Sequence, residues 1–189
     1  MIKINDIIEV QAQKLVWGGK TLCRYGEDNF VVFVEDALPQ EKLKVKVTSL
    51  NKHFAHAKIV EIINSSDKRI KPYCPIYSAC GACEYQICDY SYFLELKYLV
   101  LKEIFPDIEV KAVIKSPKIQ GYRNKIQYPS RRTKNSKRML LGYFKKNTHD
   151  ITDIKFCPNQ SEDIDEIAKY IRQNFEFSCY DEKTQKCFL

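Results

Sequence analysis

The chain has 189 residues and a formal net charge of +7, and 44% of its residues are hydrophobic. This length suits one domain or two small ones, and no apolar run approaches the roughly 20 residues that a membrane-spanning helix needs. The first ten residues alternate charged and apolar side chains and lack a signal-peptide core, which predicts a cytoplasmic protein.

The positive charge is concentrated in one part of the chain. Residues 111–155 contain 13 lysines and arginines against two acidic residues, a local charge of +11. Residues 157–189 contain four basic and seven acidic residues, a local charge of −3. A basic segment of this size attracts the phosphates of a nucleic acid, but the same composition also suits a solvated, lysine-rich surface.

The first 64 residues predict five short β-strands. Apolar Leu43, Val45 and Val47 alternate with lysines, which is the two-residue period of a half-buried strand. Turn residues separate the other strand candidates, which are Ile7–Val16, Lys20–Tyr25, Phe30–Val34 and Ala55–Ile63. Five short strands in about 60 residues predict a small closed or nearly closed barrel of the OB type, a fold that commonly binds nucleic acid.

Two helices and further strands follow a polar break at 64–67. Ser91 is the predicted N-cap of a first helix that extends to Phe105, and acidic residues suit the first turn of a second helix, Ser161–Phe175. Between them, strands Lys125–Ser130 and Met139–Phe144 flank the basic loop Arg131–Arg138 as a hairpin. The predicted fold class is therefore α+β, without a glycine-rich phosphate loop.

The most specific pattern is Cys74, Cys80 and Cys83, with spacings of five and two residues. The short spacing lets two thiolates reach one metal centre, and Gly81 lets the backbone bend sharply between them. Three local thiolates leave room for a distant fourth ligand, for which Cys157 is the candidate. Thiolates favour zinc or an iron–sulfur cluster, and zinc ribbons more often use two CxxC pairs than the one present here. An iron–sulfur cluster is the prediction.

Other interpretations of the cysteines stay open. The four residues could be ordinary buried cysteines, although they are set among polar and turn residues. Cys88 lies near enough in sequence to compete as a ligand. The remaining cysteines are predicted to be isolated thiols in the core or at the surface; they are Cys23, Cys179 and Cys187.

Several segments resemble a known family, the bacterial RNA 5-methyluridine methyltransferases. Within this family, the segments resemble more specifically the branch that methylates 23S ribosomal RNA and carries a 4Fe-4S cluster. Its TRAM domain, an OB-like barrel, is similar to the segments around 18–20 and 32–41. The other matching segments are Cys74-Pro75, Cys80–Gln86, Gly121–Lys125, Gly142–Phe144, His149–Ile151 and Asp153–Pro158.

The resemblance implies a division into a TRAM barrel (1–66), a cluster loop with a helix (67–106) and part of a central RNA-recognition domain (107–189). Family members continue into a domain that binds S-adenosylmethionine and supplies the catalytic cysteine and base. We expect that domain to be absent from a truncated chain, so no catalytic or S-adenosylmethionine-binding residue is assigned. Ala82 departs from the family, which usually has a second glycine there, and Cys187 replaces a usually small residue.

The resulting hypothesis is a monomer that forms the RNA-recognition and iron–sulfur part of a 23S ribosomal RNA methyltransferase. Basic and aromatic side chains would hold the splayed RNA by phosphate contacts and stacking. The alternatives are a stand-alone RNA-binding module with a structural iron–sulfur or zinc site and, ranked last, a redox protein. The candidate RNA contacts are Arg123, Lys125, Arg131, Arg132, Phe144, Lys145, Lys146 and His149.

Overall fold

The computed structural model describes residues 2–132 and 139–175, with Arg132 described by its backbone alone. The chain divides into two compact units, each assembled from separate segments. The first unit is Met1–Lys71 with Glu84–Lys115, and the second is Pro72–Cys83 with Ser116–Leu189. Within the described ranges, no helix combines the length and the apolar character needed to cross a membrane.

The first unit is built on a closed five-stranded barrel. Strand neighbours in the barrel follow the order β1-β2-β3-β5-β4, and every pair is antiparallel except β3 with β5. The closed barrel confirms the sequence-based prediction, and the first two strands have the predicted bounds. The strands are β1 (Ile7–Val16), β2 (Lys20–Tyr25), β3 (Phe30–Glu35), β4 (Lys42–Leu50) and β5 (Phe54–Asn64).

Alternating apolar side chains fill the barrel. The lysines of β4 point outward, while Leu43, Val45 and Val47 are 0% exposed. Val32 and Val34 of β3 pack in the same core. Side chains of a strand alternate between its two faces, so this pattern both forms the strands and orients them.

A buried ion pair ties the barrel to the segment that follows β5. The side chain of Glu41 is 0% exposed, and its two carboxylate oxygens accept from Arg69 Nε at 2.5 Å and Arg69 Nη2 at 2.7 Å. The backbone N–H groups of Leu38 and Ser66 donate to the same carboxylate. A buried charge needs this degree of pairing, because desolvation otherwise disfavours it strongly.

The first unit also contains helix α1 (Tyr90–Ile104). Its N-cap is Asp89, whose carboxylate accepts from the backbone N–H of Tyr92 at 2.9 Å. The prediction that Ser91 caps this helix was therefore wrong by two residues, because Asp89 is placed to reach the free N–H groups of the first turn.

The second unit contains a three-stranded sheet and a helix. The sheet has the order β6-β7-β8. Helix α2 packs through Ala168, whereas Ile167 is 59% exposed. The elements are β6 (Ser130–Arg132), β7 (Met139–Phe144), β8 (Ile151–Asp153) and α2 (Glu162–Asn174).

The hairpin prediction needs a correction at its first strand. The predicted strand Lys125–Ser130 is shifted, because within residues 125–132 the segment that pairs with β7 is Ser130–Arg132, with Ser130 opposite Leu141. Arg131 and Arg132 therefore belong to the strand rather than to the loop. The rest of the predicted basic loop, 133–138, lies outside the described residues, as do Cys179 and Cys187.

Candidate metal centre and nucleic-acid surfaces

The segment carrying Cys74, Cys80 and Cys83 is a series of tight turns in the second unit. The carbonyl of Cys74 accepts from the N–H of Tyr77 at 3.2 Å, and the carbonyl of Ile76 accepts from the N–H of Cys80 at 2.9 Å. These bonds fold the five-residue spacer so that the chain curls back before Cys80. The result is a compact loop.

Gly81 anchors this loop against the β7–β8 turn. Its N–H donates to the carbonyl of Phe144 at 2.9 Å. A Cβ at this position would lie 2.7 Å from that oxygen, 3.0 Å from the nitrogen of Lys146 and 3.1 Å from the carbonyl carbon of Lys145. Glycine is needed here for close backbone packing, which is a different reason from the sharp bend that the sequence suggested.

Cys157 is held by the start of helix α2. Its backbone N–H donates to Asp165 Oδ1 at 3.3 Å. The residues just after it form backbone hydrogen bonds with the segment 121–123. The carbonyl of Pro158 accepts from the N–H of Gly121 at 2.9 Å, and the carbonyl of Asn159 accepts from the N–H of Arg123 at 2.8 Å. Tertiary contacts on both sides thus position the Cys157 loop.

The pKa values of Cys80 and Cys157 depend on burial and on the charges of the other cysteines in the set. Burial raises the pKa of Cys80, and the charges of Cys83, Cys74 and Cys157 raise it further. Burial likewise raises the pKa of Cys157, with contributions from Cys83 and Cys74. Cys80 and Cys157 also pack in one apolar cluster with Ile154. The thiols of Cys80 and Cys157 are therefore within electrostatic range of the other cysteines in the set.

The cysteines predicted to be isolated thiols or competing ligands lie in the first unit where they are described. Cys23 is inside the barrel and Cys88 precedes α1, and burial raises their pKa values to about 12 and about 11. All six cysteines in the described ranges are free thiols. Among those residues, no group of three or more His, Cys, Asp or Glu side chains is arranged to hold a single metal ion.

Cys83 receives two side-chain N–H donors. Asn159 Nδ2 donates to its sulfur at 3.2 Å, and Arg123 Nη2 lies 3.9 Å from it. The same Arg123 nitrogen donates to the carbonyl of Ala82 at 2.9 Å. Such donors stabilise negative charge on sulfur, the form in which cysteine binds metal.

The donor set fits a thiolate-ligated cluster. Four cysteines and N–H groups directed at sulfur are the usual surroundings of an iron–sulfur centre. In a 4Fe-4S cluster each thiolate binds a separate iron, so its ligands face a common space rather than one point. Since burial favours the neutral thiols of Cys80 and Cys157, binding of metal there would release protons.

The β7–β8 turn gathers four of the predicted RNA contacts. The rings of Phe144 and His149 lie edge to face with centroids 5.5 Å apart. Lys146 Nζ lies 5.2 Å from the ring centroid of Tyr77 in the cysteine loop, and Lys145 and His149 are exposed. The turn therefore presents positive charge and an aromatic ring together.

The other four predicted contacts have different surroundings. Arg123 is half-buried beside the cysteine loop, and its Nη1 donates to the hydroxyl of Tyr143 at 3.2 Å. Lys125 and Arg131 are exposed. Arg132 lies in β6, and its side chain is outside the described part of the chain. The guanidinium of Arg123 thus contacts the cysteine loop and is only partly accessible to solvent.

The outside of the barrel carries an aromatic cluster that was not predicted from the sequence. Phe33, Phe54 and His56 lie on β3 and β5 with ring centroids 5.4–5.6 Å apart. Lys20 Nζ is 3.4 Å from His56 Nδ1. Burial lowers the pKa of His56 and the charge of Lys20 lowers it further, while Glu35 opposes the shift. The signal was available, because Phe33 alternates with inward-facing valines.

Comparison with known proteins shows what the barrel and the wider chain are similar to. A family model of the TRAM domain matches residues 22–60. An uncharacterized RNA methyltransferase of Clostridium tetani is 34% identical over 167 aligned positions, and the match covers 84% of this chain and 36% of that protein. One from Synechocystis is 29% identical over 191 residues, covering 96% of this chain and 41% of that protein.

A solved structure matches nearly the whole chain. It is the crystal structure of the Pyrococcus abyssi tRNA (uracil-54, C5)-methyltransferase in complex with S-adenosyl-L-homocysteine, with a TM-score of 0.63 and 25% sequence identity. The match covers 96% of this chain and 41% of that one. The chain thus spans about two fifths of the length of the relatives that it matches.

Proposed function

We propose that the chain, which is similar to RNA methyltransferases and to a tRNA uracil-C5 methyltransferase, forms the part of an RNA uracil-C5 methyltransferase that recognises folded RNA. In this proposal the whole protein transfers a methyl group from S-adenosylmethionine to C5 of a uridine in 23S ribosomal RNA. The residues described here bind and orient the RNA, and none of them is assigned to the methyl transfer itself.

The packing of the cysteine loop against the β7–β8 turn carries the proposal. The hydrogen bond from Gly81 to Phe144 and the absence of space for a Cβ make the loop and the turn one packed element. Whatever holds the cysteine loop also holds the turn that presents Lys145 and His149. If a cluster bound by the thiols makes the loop rigid, the basic, aromatic turn packed against it is suited to contacting the phosphates and bases of a splayed RNA strand.

The barrel supplies a second surface for RNA. Phe33, Phe54 and His56 form a compact aromatic cluster, and Lys20 adds a positive charge beside it. Bases stack on such rings with about 1–3 kcal/mol per base. OB-type barrels bind oligonucleotides on the face of strands 2 and 3, the strands that carry Lys20 and Phe33. We infer that the barrel binds unpaired nucleotides that flank the target.

A 4Fe-4S cluster is part of the proposal, with Cys74, Cys80, Cys83 and Cys157 as its ligands. When bound, it would supply a rigid covalent link between the 74–83 loop and the start of α2. Linking segments that are far apart in sequence restricts the unfolded chain, as a disulfide does, which contributes roughly 2–4 kcal/mol. Its role here is to fix the geometry of the RNA-binding turn.

The RNA interaction is tested by the salt dependence of binding. The chain should bind fragments of 23S ribosomal RNA, and its affinity should fall as salt rises, with a log–log slope of roughly −0.7 to −0.9 per phosphate contact. The double substitution of Lys145→Ala and Lys146→Ala should make that slope less steep, by the contribution of up to about two phosphate contacts. The control Lys169→Ala removes an exposed charge from α2 and should alter the slope less. Binding that ignores salt would refute the electrostatic role, and preference for transfer RNA would refute the assigned substrate.

The cofactor is tested by iron analysis. The chain purified without oxygen should hold about four irons and absorb broadly in the visible range. Cys157→Ser should lose iron and thermal stability. The control Cys23→Ser alters a buried thiol of the barrel and should retain iron. One tightly bound zinc without iron, or equal iron in both variants, would contradict the assigned cluster.

A further inference from the structure

Asn159 touches two of the four proposed ligands. Its backbone N–H is directed at the sulfur of Cys157. Its side-chain Nδ2 donates to the sulfur of Cys83 at 3.2 Å. One residue therefore contacts ligands that are separated by more than seventy positions in the sequence.

The orientation of the Asn159 amide is locked. The residue is only 2% exposed, and its Oδ1 accepts from the hydroxyl of Tyr73 at 2.6 Å. This bond occupies the amide oxygen and turns the NH₂ group toward Cys83. With the amide reversed, its oxygen would face the sulfur, and two electron-rich atoms would be in contact.

Arg123 adds a cationic donor on the same sulfur. Its guanidinium is held by the carbonyl of Ala82 and by the hydroxyl of Tyr143, and it lies 3.9 Å from Cys83 Sγ. The Asn159 bond is the shorter of the two contacts. Both donors favour extra negative charge on Cys83, and a cluster gains such charge when it is reduced.

We propose that Asn159 is a positioning residue that holds Cys83 and Cys157 and raises the reduction potential of the cluster bound to them. The inference rests on the proposed cluster. N–H donors to cluster sulfurs stabilise the more negative, reduced state and so raise the potential. Tyr73 acts through Asn159, because its hydroxyl keeps the amide in the donating orientation.

The test is a redox titration of the full chain after anaerobic reconstitution, with iron content measured on each sample. Asn159→Asp keeps the size of the side chain, removes the donor and adds a negative charge, so the midpoint potential should fall. Tyr73→Phe leaves the amide in place but unlocks it, and should cause a smaller fall. Asn174→Asp adds the same charge at the exposed end of α2 and should leave the potential near that of the wild type.

The outcomes separate this inference from the proposed cluster. If the wild type binds no iron, the cluster itself is refuted, and the inference with it. If Asn159→Asp and Tyr73→Phe both hold about four irons with wild-type potentials, the cluster stands and the role of Asn159 is refuted. If Asn159→Asp fails to hold iron, the potential of the cluster in Tyr73→Phe decides the question. A potential lower than that of the wild type supports the role of Asn159, and an unchanged potential overturns it.

Discussion

Substituting Gly81 by alanine should loosen the cysteine loop and the β7–β8 turn together. The added Cβ would meet the oxygen of Phe144 at 2.7 Å and backbone atoms of Lys145 and Lys146 at 3.1 and 3.0 Å. Because every contact is backbone, no flexible side chain can move aside, and overpacking of this kind costs about 1–3 kcal/mol.

Two smaller terms modify this value. The loop must shift, which weakens the hydrogen bond from Gly81 to Phe144 and adds about 1 kcal/mol. Alanine also restricts the unfolded chain, which offsets about 0.4–1 kcal/mol. We therefore expect Gly81→Ala to lower the local free energy of opening by about 1–3 kcal/mol.

Hydrogen exchange measured by mass spectrometry localises the effect. Amides in 79–83 and in 144–150 should exchange about 5- to 150-fold faster, since each 1.4 kcal/mol is about a factor of ten. The matched variant Ala82→Gly, in the same loop, removes a methyl group and should cost only about 0.4–1 kcal/mol. Equal protection in Gly81→Ala and the wild type would refute the argument that close backbone packing requires glycine. Faster exchange in the loop alone would refute its coupling to the turn.

Two further predictions concern the first unit and use urea denaturation followed by the fluorescence of the single tryptophan. Arg69→Ala leaves the buried carboxylate of Glu41 without its ion-pair partner and should lower the free energy of unfolding by about 3–5 kcal/mol. Lys42→Ala breaks an exposed pair with Glu9 and should lower it by no more than about 1 kcal/mol. Similar losses in the two variants would contradict the distinction between a buried and an exposed pair. The pKa of His56 is lowered from its ordinary value of 6.5, so its protonation favours the unfolded chain, and stability should fall as pH drops below about 6.5 toward the lowered pKa. His56→Gln should flatten that dependence, and an unchanged pH profile would show that another group causes it.

The barrel illustrates what local patterns can predict. Leu43, Val45 and Val47 alternate with lysines, and that alternation alone indicates a strand with one buried face. The ion pair of Glu41 with Arg69 was not predicted, because the two residues are 28 positions apart and a charged residue in a sequence shows no sign of burial. A glutamate in a turn and an arginine after a linker look like surface residues until the barrel closes over them.

The sequence by itself determined the period of the strands, the positions of both helices within one or two residues, and the spacing of Cys74, Cys80 and Cys83. These features depend on neighbours a few positions apart, and the chain displays such neighbours directly. Only the tertiary structure decided that Asn159 contacts Cys83 across 76 positions, that Arg123 lies beside that sulfur, and that Gly81 packs against Phe144. Those contacts form when distant segments are brought together by the burial of shared apolar surface, and no local pattern encodes which polar atoms will then meet.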